Sequence, residues 1–474
     1  MLRIFLAATL IDALGSGLWV PFALLFLVHG QGMGLVDAGA SLSTGALLAL
    51  VTGPAAGAAM DRFGPRALIA GNLVRLAAFT AYPLVHTSWP VIAVSALAGF
   101  GDRLFWTCNA PMVARLTMGT DTDRMLATQT VGRFAGAGLG AAAMALLPAI
   151  TSPWAFHALA YVNAASFGVA AVLIRLLPTV VADRGGAGDP AEGGERGAAA
   201  RARSAGAASA GQAGTTGGTP AGAAPAAPAA PGPAASAAAA HTGPAEAALT
   251  GVTPAAEPAP TPPAARPGTW RAVLSDRAFT GFCVTHMAFT LASASKFSVL
   301  PIVVRDLLHG PQWIAGTAIT AGTVVVVGAQ RPIVALLAGR SRTSGLIGAA
   351  VLFSVCFALL VPLTAVPLPV ATVLILLTSL GFSVAEALFG PTATAAAAAA
   401  APPGAEGRAS SIFQLSWGLP IALAPGLLAT LLSTSNALTW SILALTCASA
   451  VPALLVLRKK LPAALREPSP AVAA

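Results

Sequence analysis

Charged residues are scarce in this sequence. Asp, Glu, Lys and Arg make up 9% of its 474 residues, whereas about a quarter of the residues in an average soluble domain are charged. Hydrophobic residues make up 56%, and the mean hydropathy is +0.78. A soluble protein of this length could not bury so much apolar surface. The composition therefore excludes a soluble fold and predicts a chain immersed in lipid.

Cysteines and catalytic motifs are also scarce. The four cysteines lie far apart, each inside an apolar run and without metal-ligand spacing, so we predict neither a disulfide framework nor a metal site. The sequence has no Gly-x-Ser-x-Gly elbow, His-x-x-Glu-His pair, phosphate-binding Gly-Lys loop or carboxylate pair at hydrolytic spacing. We therefore expect no enzyme activity and no cofactor.

The net charge of +9 does not indicate a nucleic-acid partner. The basic residues are not gathered on a polar face with interleaved aromatic residues, as in nucleic-acid-binding proteins. They lie in short loops instead, as signals of membrane orientation do.

Apolar runs of bilayer length occur in both halves of the chain. Because about 20 apolar residues cross a bilayer, we predict twelve spans, at 4–28, 37–60, 67–86, 89–112, 126–148, 154–176, 277–301, 313–338, 345–363, 369–391, 410–432 and 438–457. The first run is too long for the core of a signal peptide, so we expect it to be retained. Lys and Arg are concentrated in alternate loops, and the positive-inside rule then predicts a multi-pass protein of the plasma (inner, or cell) membrane with both termini in the cytosol.

The spans form two groups of six. We predict an N-terminal six-helix half at 1–180, a disordered cytosolic linker rich in Ala, Pro and Gly at 181–271, a C-terminal six-helix half at 272–460, and a cytosolic tail at 461–474. The two halves resemble each other, since Gly99-Phe100 in the first is matched by Gly381-Phe382 in the second.

A short polar loop follows the second predicted span. It reads Gly57-Ala-Ala-Met-Asp61-Arg62-Phe-Gly64-Pro65-Arg66, and by itself it predicts a tight basic turn at the cytosolic end of a helix pair. The spacing Gly-x-x-x-Asp-Arg-x-Gly-x-Arg also resembles the signature loop of the major facilitator superfamily. The resemblance implies an all-α integral membrane protein with twelve transmembrane helices in two six-helix halves, which transports a solute by alternating access around a central cavity.

The resemblance also implies a role for this gating loop, whose marker residues are Gly57, Asp61, Arg62, Gly64 and Arg66. Asp61 would accept hydrogen bonds from the N-terminus of the eleventh span, near residues 409–411, and so stabilise the outward-facing state. We expect Asp61→Asn to leave a correctly inserted protein that transports poorly.

Charged residues inside predicted spans are costly and are therefore candidates for function. The candidates for proton coupling are Asp12, Asp102, Arg103 and Glu386, and the supporting buried charges are Arg75, Arg133 and Arg331. We expect the candidates of the first half to form a buried cluster with more cations than anions. A salt-bridge lattice without a role in proton transfer is an equally weighted alternative.

Aromatic and amide side chains are expected to line the cavity. Asp12 shares a helix face with Trp19 and Phe22, which predicts a cavity wall with an acid at its inner end. The cavity candidates are Trp19, Phe22, Phe105, Trp106, Asn109, Phe289, Gln414 and Trp417.

This lining suits an amphipathic organic molecule better than a sugar or a phosphate. We therefore expect proton-coupled efflux of a hydrophobic or cationic small molecule, such as a drug or secondary metabolite, by a monomer whose partners are its substrate, protons and the bilayer. The chain resembles bacterial drug and metabolite exporters in the glycines of its fifth predicted span, but it lacks the Gly-Pro pair that ends their motif. A proton-coupled uptake symporter for a small metabolite is the alternative, and a membrane-embedded enzyme or a receptor is less favoured.

Overall fold

A computed structural model describes most of the predicted helical regions. The described residues are 2–64, 66–116, 128–129, 132, 135–136, 138–140, 142, 153–177, 269–337, 340–402 and 405–460. The predicted linker, except its last three residues, and the predicted tail lie outside them. So does most of the predicted fifth span, including Arg133.

The first half is a bundle of helices. They are α1 (Leu2–Trp19), α2 (Leu35–Val51), α3 (Gly53–Phe63), α4 (Arg66–Ala81), α5 (Ser88–Leu116) and α6 (Pro153–Arg175). Short helical turns continue α1 as far as Gly30 and end in a π-helical turn at Phe26–Gly30. The second predicted span is interrupted at Thr52, where α2 gives way to α3, because Pro54 has no backbone N–H to continue the helical ladder.

The second half begins with a short helix and continues with six long ones. They are α7 (Trp270–Ser275), α8 (Arg277–Ile302), α9 (Trp313–Leu337), α10 (Arg342–Leu360), α11 (Leu368–Ala400), α12 (Glu406–Thr434) and α13 (Asn436–Lys460). A π-helical turn at Val303–Leu307 follows α8, as one follows the first span of the first half. The predicted end of the tenth span at Pro391 is wrong, since α11 continues to Ala400 through a run of alanines, which are the best helix formers.

The described helices have the length and composition of membrane spans. Nine are long and apolar enough to cross a membrane, and α2 and the first part of α9 are shorter apolar helices. The all-helical fold predicted from the sequence is confirmed for the described residues. Eleven of the twelve predicted spans correspond to described helices.

Each half packs around its own long helices. In the first half, α1 packs on α6, α4 packs on α5 and α6, and α2 packs on α5. In the second half, α10 packs on α11 and α13, α9 on α11, and α8 on α12 and α13. The halves meet where α2 packs on α12 and where the turns after α1 pack on α8.

One end of the bundle is closed by direct contacts between the halves. His29 Nε2 lies 2.8 Å from Asp306 Oδ1, so the two π-helical turns are joined by a side-chain pair. The Arg305 guanidinium lies 5.5 Å from the centre of the Phe156 ring. We call this end the His29 end, and the opposite end, which carries Arg62, the Arg62 end.

Candidate functional site

Arg75 holds two acids of the first half together. Its Nη1 donates a hydrogen bond to Asp12 Oδ1 at 3.1 Å and lies 3.5 Å from Asp102 Oδ1. Its Nη2 donates to Asn72 Oδ1. Helices α1, α4 and α5 are thereby joined through one guanidinium, and we call Asp12, Arg75 and Asp102 the first-half cluster.

Two aromatic rings hold the guanidinium in place. The centres of the Phe105 and Phe167 rings lie 4.6 Å and 4.2 Å from the Arg75 guanidinium carbon. A guanidinium stacks on aromatic faces and is weakly hydrated, which suits a buried cation. Arg75 is 3% exposed. Its position is therefore fixed by packing as well as by charge.

The two acids differ in exposure. Asp12 is buried, whereas about half of the Asp102 side-chain surface, 52%, is accessible. Trp106 Nε1 donates a hydrogen bond to Asp102 Oδ1 at 3.0 Å, which orients that carboxylate. The cluster thus connects a buried acid with one whose side chain is about half accessible.

The predicted excess of cations is not found among the described residues, and Arg133, which that prediction included, lies outside them. One arginine lies between two acids, so the formal charge of the first-half cluster is −1. Arg103 points elsewhere and is half-buried beside α12, where its Nη2 would lie 3.2 Å from a Cβ built on Gly418. Neighbouring residues on a helix point about 100° apart, and packing decided that Asp102 faces Arg75.

A close approach of α4 and α5 brings Arg75 to Asp102. A Cβ built on Gly71 would lie 2.8 Å from the Gly101 carbonyl oxygen and 2.9 Å from the Phe105 nitrogen. Side chains at these contacts would push the helices apart. Small residues commonly allow such approaches between membrane helices.

The α1 face that was predicted to line the cavity meets the interior of the first half at Asp12, Gly15 and Trp19, whereas Phe22 meets the second half. Asp12 faces Arg75 on α4, and Gly15 lies against Asn163 on α6. The Trp19 ring centre is 5.1 Å from that of Phe79 and 5.0 Å from that of Tyr82. Phe22 is 1% exposed, in a turn that packs against α8.

An amide network joins three spans beside the cluster. Asn109 and Gln129 exchange two hydrogen bonds, of 2.9 Å and 2.8 Å, and Gln129 Nε2 also donates to Thr9 Oγ at 3.0 Å. Asn109 was among the predicted cavity residues, but here its amide is satisfied within the first half. Gln129 was not predicted, although a lone amide inside an apolar run is a signal that could have drawn attention to it.

The second half carries a separate buried charge pair. Lys296 on α8 and Glu386 on α11 are each 5% exposed and attract each other electrostatically. Lys296 Nζ donates to Ser383 Oγ at 3.2 Å. Gly322 on α9 makes room for this contact, since a Cβ there would overlap Lys296 Nζ. Lys296 was not among the predicted site residues, although it is a lone cation in an apolar run.

Other predicted residues of the second half lie in an aromatic cluster. Phe289 stacks on Phe389, with centres 4.8 Å apart, and Trp417 lies 4.9 Å from the His286 ring. Gln414 is half-buried on the same helix as Trp417. The Arg331 side chain lies outside the described residues.

The predicted gating loop forms a turn between two helices. Helix α3 ends at Phe63, Gly64 has a φ of +55°, and α4 begins at Arg66. A glycine with positive φ commonly ends a helix, because no Cβ opposes that conformation. The Arg62 and Arg66 side chains are exposed, and the Asp61 side chain lies outside the described residues, as does its predicted contact.

Comparisons with known proteins agree with this architecture. The family model described as Major Facilitator Superfamily matches residues 4–425. The crystal structure of the nucleoside transporter NupG is similar, with a TM-score of 0.63 and 12% identity over 97% of this chain and 99% of that one. No curated protein gives a significant match to the sequence.

Transporters of the POT family are also similar. One, in complex with 5-aminolevulinic acid, has a TM-score of 0.64 and 11% identity over 98% of this chain and 96% of that one. Another, in complex with a thioalcohol-conjugated peptide, has a TM-score of 0.65 and 12% identity over 97% and 96%. At such identities the similarity is one of fold. Together with the family match, it confirms the predicted resemblance: the chain belongs to the major facilitator superfamily of membrane transporters.

Proposed function

We propose that this chain is a secondary active transporter that exports a hydrophobic or cationic small molecule in exchange for protons. The observation that carries the proposal is the position of Arg75 between Asp12, which is buried, and Asp102, which is accessible. The chain works in the plasma membrane with both termini in the cytosol, as the distribution of Lys and Arg predicts. The His29 end then faces outward, and it is closed in this conformation.

The charge of the first-half cluster suits exchange of a proton for a cation. Among the described residues, two ionised acids around one arginine leave a charge of −1, which attracts a cation to the accessible carboxylate of Asp102. A proton on either acid brings the charge of the cluster to zero and removes that attraction. The proton and the cation therefore compete, and such competition is what an antiporter requires.

Aromatic side chains beside Asp102 favour an organic cation. The Trp106 ring lies 5.1 Å from the Phe105 ring and is tied to the carboxylate by its Nε1. Aromatic faces attract organic cations through their quadrupole, while a carboxylate supplies the opposite charge. A lipophilic cation at the Asp102 carboxylate would lie beside the Trp106 ring, while the Phe105 ring already contacts the Arg75 guanidinium.

The experiment uses the full chain in liposomes with an imposed pH gradient and the fluorescent cation ethidium, followed by other lipophilic cations. We expect each transported cation to move against the proton flux, and Asp102→Asn to reduce this flux at least tenfold. Asp37→Asn, which changes an exposed acid at the start of α2, is the matched control. Movement in the direction of the protons would indicate an uptake symporter, and the absence of any cation-stimulated proton flux would contradict the proposal.

A further inference from the structure

Asn163 is a buried amide whose side-chain polar atoms make no hydrogen bond to any described residue. It lies on α6, is 1% exposed, and neither its Oδ1 nor its Nδ2 makes a hydrogen bond within the part of the chain that the structure describes. An unsatisfied buried amide destabilises a fold, most of all where no bulk water can replace the partner. Asn163 therefore destabilises the conformation seen here, and such a residue is expected to find its partner in another state of the protein.

Asn163 lies beside the first-half cluster. Its Oδ1 would be 2.7 Å from a Cβ built on Gly15, and Gly15 follows Asp12 by three residues on the same face of α1. Phe167 follows Asn163 by one turn of α6 and stacks on the Arg75 guanidinium. Asp12 thus has an arginine on one side and an unpaired amide about one helical turn away.

The two neighbours suit different protonation states of Asp12. A guanidinium favours the ionised carboxylate, because it compensates the charge and donates hydrogen bonds to it. An amide offers one acceptor and donors on a neutral group, which match the O–H and the C=O of a carboxylic acid. An amide cannot compensate a buried negative charge, so it is a poor partner for the carboxylate.

We propose that Asn163 is the hydrogen-bonding partner of Asp12 when Asp12 carries the transported proton. This inference rests on the proposed function. The proton enters at Asp102, which is accessible, and then passes to Asp12. The O–H bond at Asp102 breaks, an O–H bond forms at an Asp12 carboxyl oxygen, and Arg75 changes its ion-pair partner from Asp12 to Asp102, whose Oδ1 it already approaches to 3.5 Å.

The other charged and imidazole groups on the helices around Asp12 are few. On α1 the remaining one is Arg3, at the helix end and exposed, and on α4 it is Arg66, exposed at the helix start. On α5 Arg103 points toward α12, and the Arg115 side chain lies outside the described residues. On α6 they are His157, which pairs with Gln31 at 3.3 Å, and Arg175 at the helix end. Arg133 of the fifth predicted span lies outside the described residues.

The test measures the protonated carboxyl of Asp12 directly. The full chain is placed in lipid nanodiscs, infrared difference spectra are recorded between high and low pH, and the Asp12 band is assigned by its loss in Asp12→Asn. In Asn163→Leu, which has the same size and no polar atoms, we expect the C=O stretch of this band to move to higher wavenumber because its hydrogen bonds are lost. We also expect Asn163→Leu to melt at a higher temperature than the wild type and to lose proton-driven ethidium flux at least tenfold.

Two further variants separate this role from packing. Ser166→Ala removes another polar atom that faces Gly15 and should leave the band and the flux unchanged. Asn163→Ser is smaller but keeps a hydroxyl, so it should retain more flux than Asn163→Leu, whereas a purely structural role predicts the reverse order. If Asn163→Leu does not fold, the Asp12 band and the flux are compared between Asn163→Ser and the wild type instead.

An unchanged Asp12 band in Asn163→Leu would overturn the inference and leave the proposed function standing. An Asp12 carboxyl that never protonates in the wild type would also overturn it, and the flux of Asp102→Asn would then decide the proposed function separately.

Discussion

The Ser43 hydroxyl accepts a hydrogen bond from the backbone N–H of Gly426 at 2.8 Å, across the interface between the two halves. The same hydroxyl donates to the Leu423 carbonyl at 3.2 Å. One side chain of α2 is thereby tied to the backbone of α12, on either side of Pro425, whose ring removes a backbone donor. The close approach needs Gly39, because a Cβ there would lie 2.6 Å from the Pro425 carbonyl oxygen.

Removal of this contact should open the His29 end. Ser43→Ala loses two hydrogen bonds, each with a net contribution of about 0.5–1.5 kcal/mol. Since about 1.4 kcal/mol corresponds to a tenfold change in a population ratio, the two bonds together correspond to a fall of about 5- to 150-fold in the ratio of closed to open molecules. The distance between spin labels at Val36 and Leu438, exposed residues near this end on opposite halves, measures the change.

A matched variant tests the same contact without loss of a bond. Ser43→Thr keeps the hydroxyl and should retain more of the closed population than Ser43→Ala. Equal distance distributions in the wild type and Ser43→Ala would show that this contact does not hold the halves together.

The pair formed by His29 and Asp306 should help to close the His29 end. His29→Ala removes the side chain that lies 2.8 Å from Asp306 Oδ1, so we expect the closed population to fall. His29→Gln keeps a hydrogen-bond donor, and it should retain more of the closed population than His29→Ala in the same spin-label measurement.

The control for this prediction is His86→Gln. His86 is exposed in a loop at the same end of the bundle. If the closed population falls as far in His86→Gln as in His29→Ala, the effect belongs to the loop and not to the pair.

Arg75 should matter to stability as well as to transport. Arg75→Leu removes the cation that lies 3.1 Å from the buried Asp12 carboxylate, and the loss of one partner of a buried ion pair costs about 3–5 kcal/mol. We expect a lower melting temperature of the purified protein and no proton-driven ethidium flux. The double variant Arg75→Leu with Asp12→Leu should recover part of the stability but none of the flux. If the loss of stability in the double variant equals the sum of the losses in Arg75→Leu and Asp12→Leu, the two residues do not form a direct pair.

The glycine beside Lys296 offers a test of the second-half charge pair. Gly322→Ala places a methyl group where Lys296 Nζ lies, and we expect it to destabilise the protein by about 1–3 kcal/mol through overpacking. Gly328→Ala is a control on the same helix, because nothing lies within 4 Å of its added Cβ. It should be neutral or slightly stabilising, by up to about 1 kcal/mol, since alanine is the better helix former. A melting temperature in Gly322→Ala that equals that of Gly328→Ala would show that Lys296 is free to move away.

Local patterns were sufficient to predict the fold. The apolar runs predicted the helices, and eleven of twelve correspond to described spans whose ends differ by a few residues. The largest errors were at prolines: Pro54 interrupts a predicted span, and Pro391 lies inside a helix that was predicted to end there. A proline's local effect is set by the helix around it and by its neighbours, which a single sequence does not specify.

The candidate site was predicted only in its residue types. Sequence alone indicated that Asp12, Arg75 and Asp102 are buried or intramembrane charges. It could not tell that Arg75 rather than Arg103 would join both acids, because residues 63 positions apart meet only through packing. The roles of Asp102, Arg103 and Glu386 in proton coupling, and of the gating loop, stay predictions.

The sequence by itself determined that this chain lies in a membrane as two groups of apolar helices, because segment length and the scarcity of charge are properties of each segment alone. The tertiary structure decided which way each helix face points. Asp12, Trp19 and Phe22 share a face by helical geometry. Only the contacts of α1 with α4 and α6 decided that the Asp12 and Trp19 side chains point into the interior of the first half. Only the close contact at Gly71 brought Arg75 within reach of Asp102. Periodicity fixes the positions of side chains around one helix axis, whereas the neighbour that each side chain meets depends on contacts between helices far apart in the chain.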